Sequence, residues 1–211
     1  MRNDFSFSTR AGFLLIGILM GNPIFSQNDT LKYPEGIIFS VFEKVWPLED
    51  NVSRVLQEGK YGFIAASGEI VAKPIYDKAS DFREGRAKVS VNDKSGFINA
   101  RGEEVVPLMY DRVWSYQDSV AMVSLNSRYG FINYSGQTVI PLEYDYAQNS
   151  SEGLVIVSRE GKSAYFNTQG KRITEMVYDE AFPFFSGKAK VRIDVQTFYI
   201  DHSGKCIEGC E

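Results

Sequence analysis

The 211 residues suffice for one or two domains with a sizeable core, and the formal charge of −4 comes from interspersed signs. A mildly acidic chain of this kind excludes a binder of phosphate backbones, which needs a basic patch or stripe, so no nucleic acid is expected as a partner. One histidine and two cysteines fall short of a metal ligand set, and no motif points to a cofactor.

At the N-terminus, Arg2 and Arg10 flank a polar start, and Ala11 to Met20 form an apolar run. Ten helical residues span about 15 Å, half of a hydrocarbon core of roughly 30 Å. Gly21, Asn22 and Pro23 follow, then Ile24-Phe25-Ser26, with small Ser26 before a cut at Gln27. Residues 1–26 therefore read as a secretory signal peptide, although Ile24 is larger than the ideal at its place. An uncleaved membrane anchor is the weaker alternative. The mature chain is expected to be exported, to the periplasm, cell surface or extracellular space, without a membrane span. Residues 27–41 read as a linker that ends in a possible extra strand, Gly36 to Val41.

From Phe42 a period of thirty-four residues holds to the end, giving units 42–75, 76–109, 110–143, 144–177 and 178–211. Each opens on an aromatic and an acid: Phe42-Glu43, Tyr76-Asp77, Tyr110-Asp111, Tyr144-Asp145, Tyr178-Asp179. A small residue and a valine recur next, as in Ala87/Val89 and Ala121/Val123. The core run follows, as Tyr61-Gly62-Phe63-Ile64, Ser95-Gly96-Phe97-Ile98 and Tyr129-Gly130-Phe131-Ile132. A glycine turn and a β-branched residue close each unit, with Pro74, Pro107 and Pro141 in three of them. Period-two alternation and turn signals predict an all-β meander of short antiparallel strands, with no helix. Phe131 and Ile132 point to opposite faces of one strand, yet both columns are apolar throughout. Both faces must be covered, as in small sheets stacked on like neighbours. The stack is read as an open or loosely closed β-repeat array. A five-bladed, propeller-like closure is the alternative, for which thirty-four residues per blade is tight.

The period, the Tyr-Gly-Phe-Ile-Asn core, and Pro141 to Asp145 together resemble the WG-repeat family, a bacterial β-repeat, over residues 42–211. The tryptophan that gives the family its name is replaced by Tyr61, Ser95, Tyr129, Ser163 and Thr197, and the glycine by Ala164 and Phe198 in the last two units. The resemblance implies a repeat scaffold that mediates interactions, and it brings no catalytic residue.

His202, the single histidine, reads as a solvated turn residue, and no nucleophile elbow accompanies it. The recurring acids Asp77, Asp111, Asp145 and Asp179 could flank a sugar as acid and base. Recurrence in every unit favours a structural role, as acceptors of backbone N–H groups in an Asx-type turn. Binding is expected instead where the units differ: Trp46, Ser80, Trp114, Gln148 and Phe182 share one column, with Tyr116 and Tyr146 nearby. Trp46 and Phe182 also suit a capping role at the ends. The candidates are thus Trp114, Tyr116, Trp46, Phe182 and Tyr146. Cys206 and Cys210, four apart, would lie about 13 Å apart on an extended strand, too far to bridge unless Gly209 makes a turn. The chain reads as a non-enzymatic scaffold binding a protein of the cell envelope. A carbohydrate-binding module is the second reading and a glycan-cleaving enzyme the third.

Overall fold

The computed structural model describes residues 41–210. The expected signal peptide, its expected cut at Gln27 and all but Val41 of the expected linker and extra strand lie outside the described residues. Val41, the last residue of the expected extra strand, is helical, and from Lys44 on every element is a strand, the strands forming five separate antiparallel sheets in chain order. The first holds β1 (Lys44–Val45), β2 (Val52–Gln57), β3 (Lys60–Ala65) and β4 (Ile70–Tyr76). The second holds β5 (Lys78–Ala79), β6 (Arg86–Val91), β7 (Lys94–Asn99) and β8 (Glu104–Tyr110). The third holds β9 (Arg112–Val113), β10 (Val120–Leu125), β11 (Arg128–Asn133) and β12 (Thr138–Tyr144). The fourth has three strands, β13 (Tyr146–Ser151), β14 (Leu154–Arg159) and β15 (Lys162–Asn167). The fifth holds β16 (Glu180–Ala181), β17 (Ala189–Ile193), β18 (Gln196–Ile200) and β19 (Cys206–Glu208). The Tyr-Asp pair thus sits at a junction, with Tyr76 ending one sheet and Asp77 standing before the next.

Each sheet is a meander because its turns demand it. Asn92-Asp93 and Asn126-Ser127 both take positive φ at two successive residues. This is the hand of a two-residue hairpin turn that matches the strand twist, and Asn tolerates it best after Gly. The stack follows from the apolar pair on the third strand. Phe63 packs in one cluster with Ala87, Val89 and Ile98 of the second sheet. Phe97 packs with Ala121, Val123 and Ile132 of the third. Phe131 faces Val155, Val157 and Phe166 of the fourth, and Tyr165 faces Ala189, Val191 and Ile200 of the fifth. One neighbour of each pair therefore looks forward and the other back, so both faces of the inner sheets are buried. Among the described residues, no strand of the first sheet shares a substantial contact with a strand of the fifth, and no strand pairing joins one sheet to another. The described sheets form no closed barrel.

The glycine of the core run lets the fourth strand lie close over the third in the first three sheets. A β-carbon on Gly62 would stand 2.7 Å from the Pro74 nitrogen, and one on Gly96 2.3 Å from the Val106 oxygen. The register shifts beside these glycines, so the edge strand bulges over the bare backbone. In the fourth sheet Ala164 occupies this place, and the ladder dwindles to the isolated bridges Ser163–Tyr178 and Phe166–Arg172. In the fifth sheet Phe198 stands at the same place, and the short β19 still pairs with β18 at Tyr199 and Ile200. Pro74, Pro107 and Pro141 lie on the outer strands β4, β8 and β12, where a missing donor blunts an exposed edge. At the last edge, Gly209 turns with φ +75° and Cys206 is bridged to Cys210 across a Cα separation of 5.9 Å.

Candidate functional site

The recurring acids are clips. The Asp111 carboxylate accepts a hydrogen bond from Lys94 Nζ (2.6 Å) and another from the Asn126 backbone N–H (2.7 Å). Asp179 does the same with Lys162 (2.7 Å) and the Asp194 N–H (2.6 Å). Asp77 pairs with Lys60 and the Asn92 N–H, Asp145 with Arg128 and the Glu160 N–H. In the first sheet Glu43 accepts from the Glu58 N–H at 2.7 Å. Each Asp therefore ties the turn between the second and third strands of its own sheet to the cation that opens the third strand of the sheet before. The N–H partner lies fifteen residues on, so this is no local Asx turn. That geometry belongs to Asn99, Asn133, Asn167 and Asp201, which accept from N–H groups two and four residues ahead. The lysine hydrogen bond, seconded by the turn N–H, holds the carboxyls of Asp77, Asp111 and Asp179 below their ordinary value.

His202 is more than a solvated turn residue. Its ring stacks on Phe184 at 4.5 Å, and Nε2 stands 3.1 Å from Glu152 Oε2, the carboxylate that also accepts the Gly187 N–H. It fastens the last sheet to the loops beside it. No cluster of three or more metal-ligating side chains occurs among the described residues.

The candidate aromatics separate into distinct places. Trp114 lies against Tyr129 (5.9 Å), which in turn meets Tyr146 (6.5 Å), so a row of three rings crosses from the third sheet to the fourth. Trp114 is half-buried, and Tyr146 is 51% exposed. Tyr116, two residues from Trp114, faces elsewhere: it stacks on Tyr134 (4.4 Å), touches Phe97 and donates to the Asn133 carbonyl. Burial pushes its phenol up to about 12, and a hydrogen bond to Glu84 pushes Tyr134 up to about 12 as well. Trp46 is gripped between Lys44 Nζ (4.4 Å) and the Arg54 guanidinium (4.2 Å), with Tyr61 at its side. Arg54 reaches on into the second sheet, donating to the Ala79 carbonyl and standing 3.2 Å from Asp81. Phe182 lies under Lys190 and gives its carbonyl to the Tyr165 hydroxyl.

Between Trp114 and the second sheet runs a groove of about 610 Å³, lined by Lys78, Lys88, Ser90, Ser95, Arg112 and Trp114 among others. It continues through a smaller hollow floored by Ser80 and Ser95 into a third of about 340 Å³ beside Arg86 and Tyr116. Lys88 lines all three. Alignment of the units at their period places both serines in their columns, but neither they nor the cations stand among the expected site residues. Ser80 stands in the column of Trp46 and Trp114, and Ser95 in that of Tyr61 and Tyr129.

The family model described as "WG containing repeat" matches residues 61–94, 96–129, 129–162 and 164–194. No curated protein matches the chain. Among solved structures, Kluyveromyces lactis Hsv2 with a replaced loop aligns at 9% identity and a TM-score of 0.43, over 74% of this chain and 61% of that one. A eukaryotic initiation factor aligns at 9% identity and 0.46, over 79% and 54%. The extracellular domain of BT3049 from B. thetaiotaomicron aligns at 9% and 0.36, over 76% and 26%. The chain therefore spans about three fifths or less of the length of these structures.

Proposed function

We propose that this chain, which belongs to the WG-repeat family, is an exported, non-catalytic scaffold that binds a protein partner in the cell envelope. The observation that carries the reading is a division of labour among positions. The residues that recur are consumed in building the array, the acids as clips and the Phe-Ile pair as core. The residues that break the repeat line a groove and leave the Trp114 row half-open beside it. A half-exposed aromatic beside a groove is the usual anchor of a protein interface. With every recurring Asp bound to a cation and a turn N–H, the acids are poorly placed for acid–base work on a sugar, and no cofactor is invoked. Export rests on the N-terminal pattern of Arg10, the apolar run and Ser26, and predicts a mature N-terminus at Gln27.

A carbohydrate-binding role is the second reading, favoured by the exposed Tyr146 ring in line with Trp114, since sugar faces stack on such rings. Affinity capture with the tagged chain on an envelope extract, run beside a glycan array, separates the two. A saturable protein partner lost on Trp114→Ala supports the scaffold. Glycan binding without a protein partner transfers the site to a sugar, and a blank in both overturns the proposal.

A further inference from the structure

In the first sheet, Lys44 and Arg54 hold the Trp46 ring between them. In the fifth, Lys190, in the column of Arg54, lies 5.6 Å from the ring of Phe182, in the column of Trp46. The second sheet keeps both cations, Lys78 in the column of Lys44 and Lys88 in that of Arg54, but puts Ser80 where the ring should be. It also puts Ser95 where Tyr61 and Tyr129 support the tryptophans of the first and third sheets. The hollow in the middle of the groove is therefore the volume of a missing aromatic pair, and Lys78, Lys88, Ser80 and Ser95 all line it. Trp114 and Arg112 wall the adjoining stretch. Among the described residues, Lys78, Lys88 and Arg112 have no ion pair, whereas the lysines of the clips are all paired with Asp.

We infer that this hollow receives an aromatic side chain carried on an acidic segment of the partner protein, its ring taking the place that Trp46 takes one sheet earlier. The inference rests on the protein-scaffold reading and names the segment recognised. Lys78 and Lys88 stand over the incoming ring as Lys44 and Arg54 stand over Trp46. Carboxylates on either side of the ring meet Arg112 and the lysine ammonium groups, which form no ion pair among the described residues. Asp93 and Asp111 also border the groove, but Asp111 is already satisfied by Lys94, so the balance of free charge at the hollow stays positive.

The test uses the full chain and a fluorescent peptide, Glu-Asp-Trp-Asp-Glu, followed by polarisation, with the same peptide carrying Ala for Trp as control. Saturable binding is expected, weakened about tenfold or more by the Ala control and falling as salt rises. Ser80→Trp with Ser95→Tyr rebuilds the missing pair from the chain itself and should abolish peptide binding without lowering the thermal midpoint. Should that variant fail to fold, Lys78→Ser with Lys88→Met carries the same expectation. Absence of saturation, equal binding of the Ala peptide, or unchanged binding by either variant overturns the inference. So does displacement of the peptide by an oligogalacturonate that binds more tightly than the peptide. An envelope partner that Trp114→Ala loses but the filled variant still captures would sink this inference while leaving the scaffold reading intact. Loss of that partner from neither variant would sink both.

Discussion

Gly130 lies so close beneath Ile140 that a β-carbon on it would stand 2.6 Å from the Ile140 carbonyl oxygen. The contact is backbone on backbone, so no side-chain rotation relieves it. Gly130→Ala should lower stability by about 1–3 kcal/mol and loosen β12, in the manner of the fourth sheet around Ala164. Urea unfolding with hydrogen exchange across residues 138–144 checks both parts. Ala164→Gly, where the edge ladder is already broken, should have a smaller effect on exchange.

The clips set the acid limit. Asp77, Asp111 and Asp179 have carboxyls held below the ordinary value of 3.8 by their lysine partners. A carboxylate whose value is depressed by folding stabilises above the unfolded value, and that stability is lost as pH falls below it. Stability should therefore stay level down to about pH 5 and decline as the pH passes below 4. Asp111→Asn, which surrenders the charge but keeps the shape, should flatten this decline and lower the thermal midpoint at neutral pH by less than Gly130→Ala does.

The buried phenols set the alkaline limit. Tyr116 and Tyr134 are each pushed up to about 12 from 10.0, and burial raises Tyr165 and Tyr178 as well. A phenol that ionises later in the folded state stabilises fully below the unfolded value, and that stability is lost as pH rises from about 10 towards 12. Ultraviolet tyrosinate titration should show an early class of exposed tyrosines and a late class that ionises together with loss of the β-sheet circular dichroism signal. Tyr134→Phe should remove one member of the late class.

Most of the architecture was legible because a repeat states each rule five times. The two-faced burial of Phe131 and Ile132 required stacked sheets, and the two residues now sit in clusters facing opposite neighbours. The clip role of the acids was legible only as a recurring carboxylate. Its partners lie fifteen residues ahead and seventeen behind, which is set by the turn and the stack rather than by local sequence. The site was harder. Trp114 and Tyr146 were visible as aromatics in variable columns, but Tyr129, which joins them, belongs to the repeated core run and was hidden by it. Ser80 and Ser95 were visible in their columns but not as a site, because a hollow is made by small residues where large ones are expected, and only the neighbouring Trp46–Tyr61 pair gives their size a meaning. The reduction of the fourth sheet's edge to isolated bridges was not legible either, since Phe198 replaces the same glycine in the fifth sheet and its fourth strand is kept.

The central claim is that the repeat-breaking residues bind and the recurring ones build. The most direct measurement is the affinity of the captured envelope partner for three proteins in parallel: the parent chain, Trp114→Ala and Asp111→Asn. The account predicts a loss of about tenfold or more for Trp114→Ala and no change for Asp111→Asn at a temperature where both are folded. Unchanged binding by Trp114→Ala, with a loss in Asp111→Asn, would contradict it and return the recurring acids to the centre of the function.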